Sequence, residues 1–99
     1  MIIVLGSIVA KAETFDELRR ISLEHVRRSR TEPGCLAHDV QVDAANPLKL
    51  VFVEKWADAA ALGAHFKVKE SIAFVLRGRE LGASAPAIEI FEASPAKMS

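Results

Sequence analysis

Four side chains in this sequence have the chemistry of proton transfer: His25, His38, Glu54 and His65. Imidazole is the group whose ordinary pKa lies near neutral pH. A carboxylate taken out of water has its pKa raised by burial and lowered by a histidinium partner. A His–Glu pair in an apolar pocket can therefore move protons near pH 7. His38, Glu54 and His65 are the candidate catalytic residues. An apolar cavity with a few convergent titratable groups is the usual form of a small-molecule site.

Each of these residues also has a plainer reading. His38 and Glu54 can form a cross-strand pair that only satisfies its own members. Trp56 can be core rather than a ligand platform. His65 can cap a helix end, and His25 can pack a helix against a sheet. Cys35 reads as a small buried hydrophobe. The three histidines lack the short spacings of a dedicated metal site, so no metal is expected.

The elements that must position these groups follow from periodicity. Residues 2–10 are β-branched and apolar on both alternating sets, which predicts a strand inside a sheet. Thr14 precedes Glu17 by three residues, a capping-box spacing. Phe15, Leu18, Ser22, His25, Val26 and Ser29 then share one helical stripe, with Ile21 beside it. Asp16–Arg20 and Glu24–Arg28 are spaced as ion pairs on the opposite face. The Arg27-Arg28-Ser29-Arg30 cluster reads as a solvated helix end. Pro33-Gly34 ends the helix.

Residues 35–43 alternate, a turn follows at 44–47, and residues 48–56 form a third strand. A register in which paired numbers sum to 92 sets Leu36 against Trp56, His38 against Glu54, Val40 against Phe52 and Val42 against Leu50. All eight then share one face. Asp58 caps a short helix through residue 66, and a second helical piece covers about 70–81. Pro86 opens a last strand over 87–93, and a polar tail covers 94–99.

The order β-α-β-β-α-β, with the second helix broken, predicts an α+β ferredoxin-like fold: one domain over residues 1–99, with its core over about 2–93. The sheet face without helices is rich in Val and Ile, so a homodimer through that face is expected. The sequence has 13 Lys and Arg against 13 Asp and Glu, and 51% of its residues are hydrophobic. Zero net charge leaves no electrostatic footprint for nucleic acid and no polybasic membrane anchor. No apolar run reaches the roughly 18 residues that a spanning helix needs. A soluble cytoplasmic domain is the expectation.

Three segments carry a family resemblance. Arg30-Thr31-Glu32-Pro33-Gly34-Cys35-Leu36, Val51-Phe52-Val53-Glu54-Lys55-Trp56-Ala57-Asp58 and Ala60-Ala61-Leu62-Gly63-Ala64-His65-Phe66 resemble the antibiotic biosynthesis monooxygenase (ABM) domain family. The resemblance implies a dimeric α+β barrel of two ferredoxin-like protomers. It also implies a cofactor-independent monooxygenase acting on a small phenol or quinol. Glu54 or His65 is then the base and His38 its partner. Phe52 and Trp56 form a wall for the ring, and His25 and Phe66 contact the substrate. Polyketide-oxidising members use Tyr, Asn, Trp and Arg around the substrate. This chain has no tyrosine, and its single asparagine is Asn46 in a turn. Arg77 and Arg79 are candidates for the arginine. The haem-degrading branch uses an Asn on the first strand and a His on the last helix, and both are absent here. An isomerase or proton-transfer enzyme, and a non-catalytic small-ligand-binding dimer, are the alternatives on this scaffold.

Overall fold

The computed structural model describes residues 1–98. Seven elements follow in order: β1 (Ile2–Val9), α1 (Phe15–Ser29), β2 (Cys35–Asp43), β3 (Asn46–Trp56), α2 (Ala59–Lys67), α3 (Lys69–Leu81) and β4 (Ala87–Glu92). The strands form one antiparallel sheet in the order β2-β3-β1-β4. This is the ferredoxin-like α+β fold, with β1 inside the sheet as its two-sided apolar pattern requires.

The helices bury one alternating set of strand residues. One core cluster joins Ile8, Leu50 and Phe52 to Leu18, Val26 and Leu81. A second joins Ile2, Val4 and Trp56 to Leu62. On β3, Glu54 stands between Phe52 of the first cluster and Trp56 of the second. A carboxylate thus sits where the apolar core divides in two. No described helix is long and apolar enough to cross a membrane.

The stripe of α1 faces inward as its spacing predicts: Leu18, Ser22, His25, Val26 and Ser29 are all buried. Its start differs from the expected capping box. Thr14 has helical backbone angles and makes no side-chain cap. Its hydroxyl instead accepts from Lys11 N–H and donates to the Leu81 carbonyl at 2.7 Å. The hydroxyl is drawn off to the C-terminal turn of α3, where helix carbonyls lack partners. The ion pairs also differ. Arg20 spans Glu17 and Glu24, and Arg28 turns inward.

Between β2 and β3 the register is His38↔Glu54, Val40↔Phe52 and Val42↔Leu50, the pairs set by numbers that sum to 92. The fourth expected pair is corrected. Cys35, not Leu36, faces Trp56, and the register shifts there. The extra residue, Leu36, is 57% exposed. The corner before it causes this bulge. Gly34 adopts φ +82° and its carbonyl accepts from Ala57 N–H at 2.8 Å, so the strand enters the sheet one residue early.

Asp58 caps α2 by accepting from Ala61 N–H. Val68 is extended, which breaks the helical segment into α2 and α3.

Candidate functional site

The broken helix brings His65 over β3, and α1 brings His25 beside it. The three imidazoles meet although they are far apart in sequence. His25 and His38 lie 5.2 Å apart by ring centroid, His25 and His65 5.3 Å, and His38 and His65 5.6 Å. All three are at most 5% exposed. Glu54 Oε1 is 3.3 Å from His38 Nε2 and 4.0 Å from His65 Nε2.

Hydrogen bonds assign most of the protons. A carboxylate only accepts, so Glu32 Oε1, 2.8 Å from His65 Nδ1, sets the proton on Nδ1. His65 Nε2 is left toward Glu54. An orienting carboxylate behind an imidazole is how a general base is held in one tautomer. A guanidinium only donates, so Arg28 Nη2, 2.7 Å from His25 Nδ1, makes that nitrogen an acceptor. The remaining proton of neutral His25 is then on Nε2. Arg28 also donates to Ser71 Oγ at 3.1 Å, tying α1 to α3.

The charges follow from the surroundings. Burial, the largest influence on Glu54, pushes its carboxyl up. His38, the Trp56 indole N–H and His65 together outweigh it and hold the carboxyl below its usual range. Glu54 is therefore a buried carboxylate at neutral pH. Burial, then His38, His65 and Arg28, push His25 down to about 2. Burial and the nearby Glu32 and Glu54 raise the Cys35 thiol, which fits an inert cysteine.

The His25 shift predicts a pH effect on stability. His25 is neutral when folded and takes up a proton when unfolded below its ordinary 6.5. The folded state therefore holds fewer protons, and its stability falls as pH drops from 6.5 toward 2. One proton, half taken up at pH 6.5 and nearly fully by pH 5, gives about 1.6 kcal/mol lost between those pH values. The facing groups are His38, His65, Arg28 and Phe74, whose ring stacks on His25 at 4.1 Å. His25→Phe preserves the stack and should flatten this slope. Urea unfolding of chelator-treated protein at both pH values checks it, and equal slopes for the two proteins would contradict the assignment.

A cavity of about 440 Å³ opens beside the cluster, between α3 and the β1–β4 half of the sheet. Its walls are mainly apolar. His25, Phe52, Glu54, His65 and Phe66 line it. His38 and Trp56 do not: both are fully buried behind Glu54. Trp56, expected as a ring wall, instead donates its Nε1–H to Glu54 Oε1 at 2.9 Å and packs on His65 at 4.5 Å. It has no surface left to give a ligand. Phe74, on the buried side of α3, supplies the aromatic wall in its place. Arg79 lines the cavity, while Arg77 pairs with Glu80 at the surface.

Two functional neighbours escaped sequence reasoning. Glu32 stands in the Glu32-Pro33-Gly34-Cys35 corner, which reads as a helix stop and as part of the family resemblance, with no role given to Glu32 itself. Arg28 stood in a basic cluster read as solvated. The expectation of no metal site rested on spacing along the chain, and the fold removes that ground by gathering the three rings.

The fold and the site define a class: a small ferredoxin-like α+β protein with a buried acid–base cluster at the base of an apolar cavity. Residues 1–76 match the family described as antibiotic biosynthesis monooxygenase, and the chain belongs to that family. Over 91 residues it is 31% identical to "Uncharacterized protein sll1783" of Synechocystis sp. (strain ATCC 27184 / PCC 6803 / Kazusa), covering 92% of this chain and 62% of that protein. The chain thus spans under two thirds of that relative's length. It is 33% identical over 86 residues to "Putative monooxygenase YcnE" of Bacillus subtilis (strain 168), covering 87% of this chain and 90% of that one. Among solved structures it resembles a Deinococcus radiodurans protein described as a putative antibiotic biosynthesis monooxygenase, with TM-score 0.93, 25% identity and coverage of 100% and 98%.

Proposed function

We propose that this protein is a cofactor-independent monooxygenase that oxidises a small phenol or quinol with O₂. The observation that carries the reading is the buried Glu54 carboxylate with His65 beside it, both opening on an apolar cavity. Family membership and the Bacillus subtilis relative's name support monooxygenase chemistry. An electron-rich phenolate can reduce O₂ directly, so the protein must bind the ring, remove its proton and exclude water. Phe52, Phe66 and Phe74 suit a planar aromatic. Glu54 or His65 takes the hydroxyl proton, and Glu32 holds His65 in the tautomer that leaves Nε2 available. His38 lies behind Glu54 and sets its charge.

The test is O₂ consumption by purified protein with EDTA present, over a panel of dihydroxynaphthalenes, hydroquinones and polycyclic phenols, with autoxidation subtracted. Protein-dependent uptake supports the reading. No uptake on any member, with a bound aromatic detected instead, shifts the weight to a ligand-binding protein. Turnover that persists without oxygen shifts it to an isomerase.

The working unit in this proposal is a homodimer through the helix-free sheet face. Leu5, Val53 and Phe91 are 38–44% exposed there, with Leu5 paired to Val53 and Ile3 to Phe91. A second copy presents the same patch, so the contact is self-complementary. Sedimentation of wild-type protein at micromolar concentration should give a dimer, and Val53→Lys should give folded monomer. A monomeric wild type contradicts this arrangement.

A further inference from the structure

One ring in the cluster makes no well-formed hydrogen bond. His38 is 1% exposed, and neither of its ring nitrogens has a hydrogen-bond partner. Its Nε2 is 3.3 Å from Glu54 Oε1, an ion-pair contact rather than a well-formed hydrogen bond. A buried imidazole beside a carboxylate but without a well-formed hydrogen bond on either nitrogen calls for an explanation.

We propose that His38, Glu54 and His65 bind a divalent first-row transition-metal ion as a two-histidine, one-carboxylate site. With metal–ligand distances of about 2.1 Å, adjacent donors lie about 3.0–3.4 Å apart. The 3.3 Å contact between His38 and Glu54 already meets this. The 4.0 Å contact between His65 Nε2 and Glu54 Oε1 must close by roughly half an ångström or more. Donor atoms of the three histidines lie within 4.8 Å of one another.

The surroundings support the same three ligands. Glu32 accepts from His65 Nδ1, the carboxylate–histidine arrangement found behind metal-bound imidazoles. Trp56 Nε1–H donates to Glu54 Oε1 and fixes that carboxylate. His25 is the nearest competitor for a place in the set, and Arg28 excludes it. The guanidinium holds the His25 proton on Nε2 and places a fixed positive charge beside the ring. Glu54 and His65 line the cavity, so open coordination positions would face it. Imidazole and carboxylate together suit Zn²⁺, Fe²⁺ and Co²⁺.

This goes beyond the oxygenase reading and does not rest on it. The ion takes the donors that proton transfer uses, so a loaded site and a working base are exclusive states. Tag-free protein is stripped with EDTA, dialysed, and titrated with Co²⁺ by visible absorption and with Zn²⁺ by calorimetry. One ion per chain with a visible d–d band is expected. His38→Ala and Glu54→Gln should weaken binding at least 100-fold. Glu32→Gln should weaken it roughly 10–100-fold, and it keeps the proposal testable where His38→Ala does not fold. His25→Phe should bind within a few-fold of wild type. Circular dichroism and melting confirm that each variant is folded. The proposal is overturned by no saturable binding in wild type, by equal binding in all variants, which marks a surface ion, or by loss confined to His25→Phe. The EDTA-treated oxygen assay decides the oxygenase reading separately.

Discussion

Gly34→Ala should lose about 2–5 kcal/mol of stability in urea unfolding, from two separate causes. The first is backbone. Gly34 sits at φ +82°, where a side chain costs about 1–2 kcal/mol. The second is contact. A Cβ at this position would lie 2.5 Å from the Ala61 Cβ, far inside van der Waals distance. Relieving such overpacking by moving α2 costs about 1–3 kcal/mol. A double-mutant cycle separates the two. Ala61→Gly alone should cost up to about 1 kcal/mol of helix propensity. Added to Gly34→Ala it should remove the contact cost and leave the backbone cost, a coupling of about 1–3 kcal/mol. Additive effects would show that the corner and α2 do not press on each other. The corner matters for chemistry as well. It joins Glu32 at the end of α1 to the start of β2, and Glu32 is what holds His65.

Glu54→Gln should lower kcat/KM by about 10²–10⁴ on whichever quinol supports oxygen uptake, while the protein stays folded. Glutamine has the same shape, and its side-chain oxygen still accepts from the Trp56 indole. What is lost is the negative charge beside His38 and His65. A role in turnover therefore separates from a role in packing: unchanged melting with lost turnover assigns Glu54 to the reaction. His65→Ala should give a loss of similar size, because it removes the imidazole whose Nε2 lies 4.0 Å from Glu54 Oε1. Unchanged turnover in both variants, measured as initial oxygen uptake with autoxidation subtracted, would remove proton transfer from this pair.

Much of the architecture is legible in the sequence. The α1 stripe is read correctly from spacing alone because an amphipathic helix must bury the residues that recur every three to four positions. The shared face of β2 and β3 follows because one slipped residue would turn Glu54, Phe52 and Leu50 outward together, while the pairing itself is an assumption that the structure bears out at three of four pairs. His38 opposite Glu54 is one of the three. The Leu36 bulge was not legible. It depends on a hydrogen bond from Ala57 back to Gly34, which no alternation pattern encodes.

The sequence by itself determined the order of elements and the face that α1 and most of β2 and β3 bury, which is the face His38 and Glu54 share. These are local or period-driven properties, and a few residues of spacing contain them. Only the tertiary structure decided which side chains reach the cavity and which stand behind it. Trp56 went to the core and Phe74, which had no role in the sequence reading, took the cavity wall, because side-chain direction is set by packing, not by residue type. Glu32 reaches His65 across 33 residues, and Arg28 reaches Ser71 across 43. Such contacts form only when separate elements dock, since burial removes water as a partner and disfavours leaving a polar group without one. The charge of the cluster follows from the same docking, because burial and neighbours, rather than the residues alone, set where its protons lie.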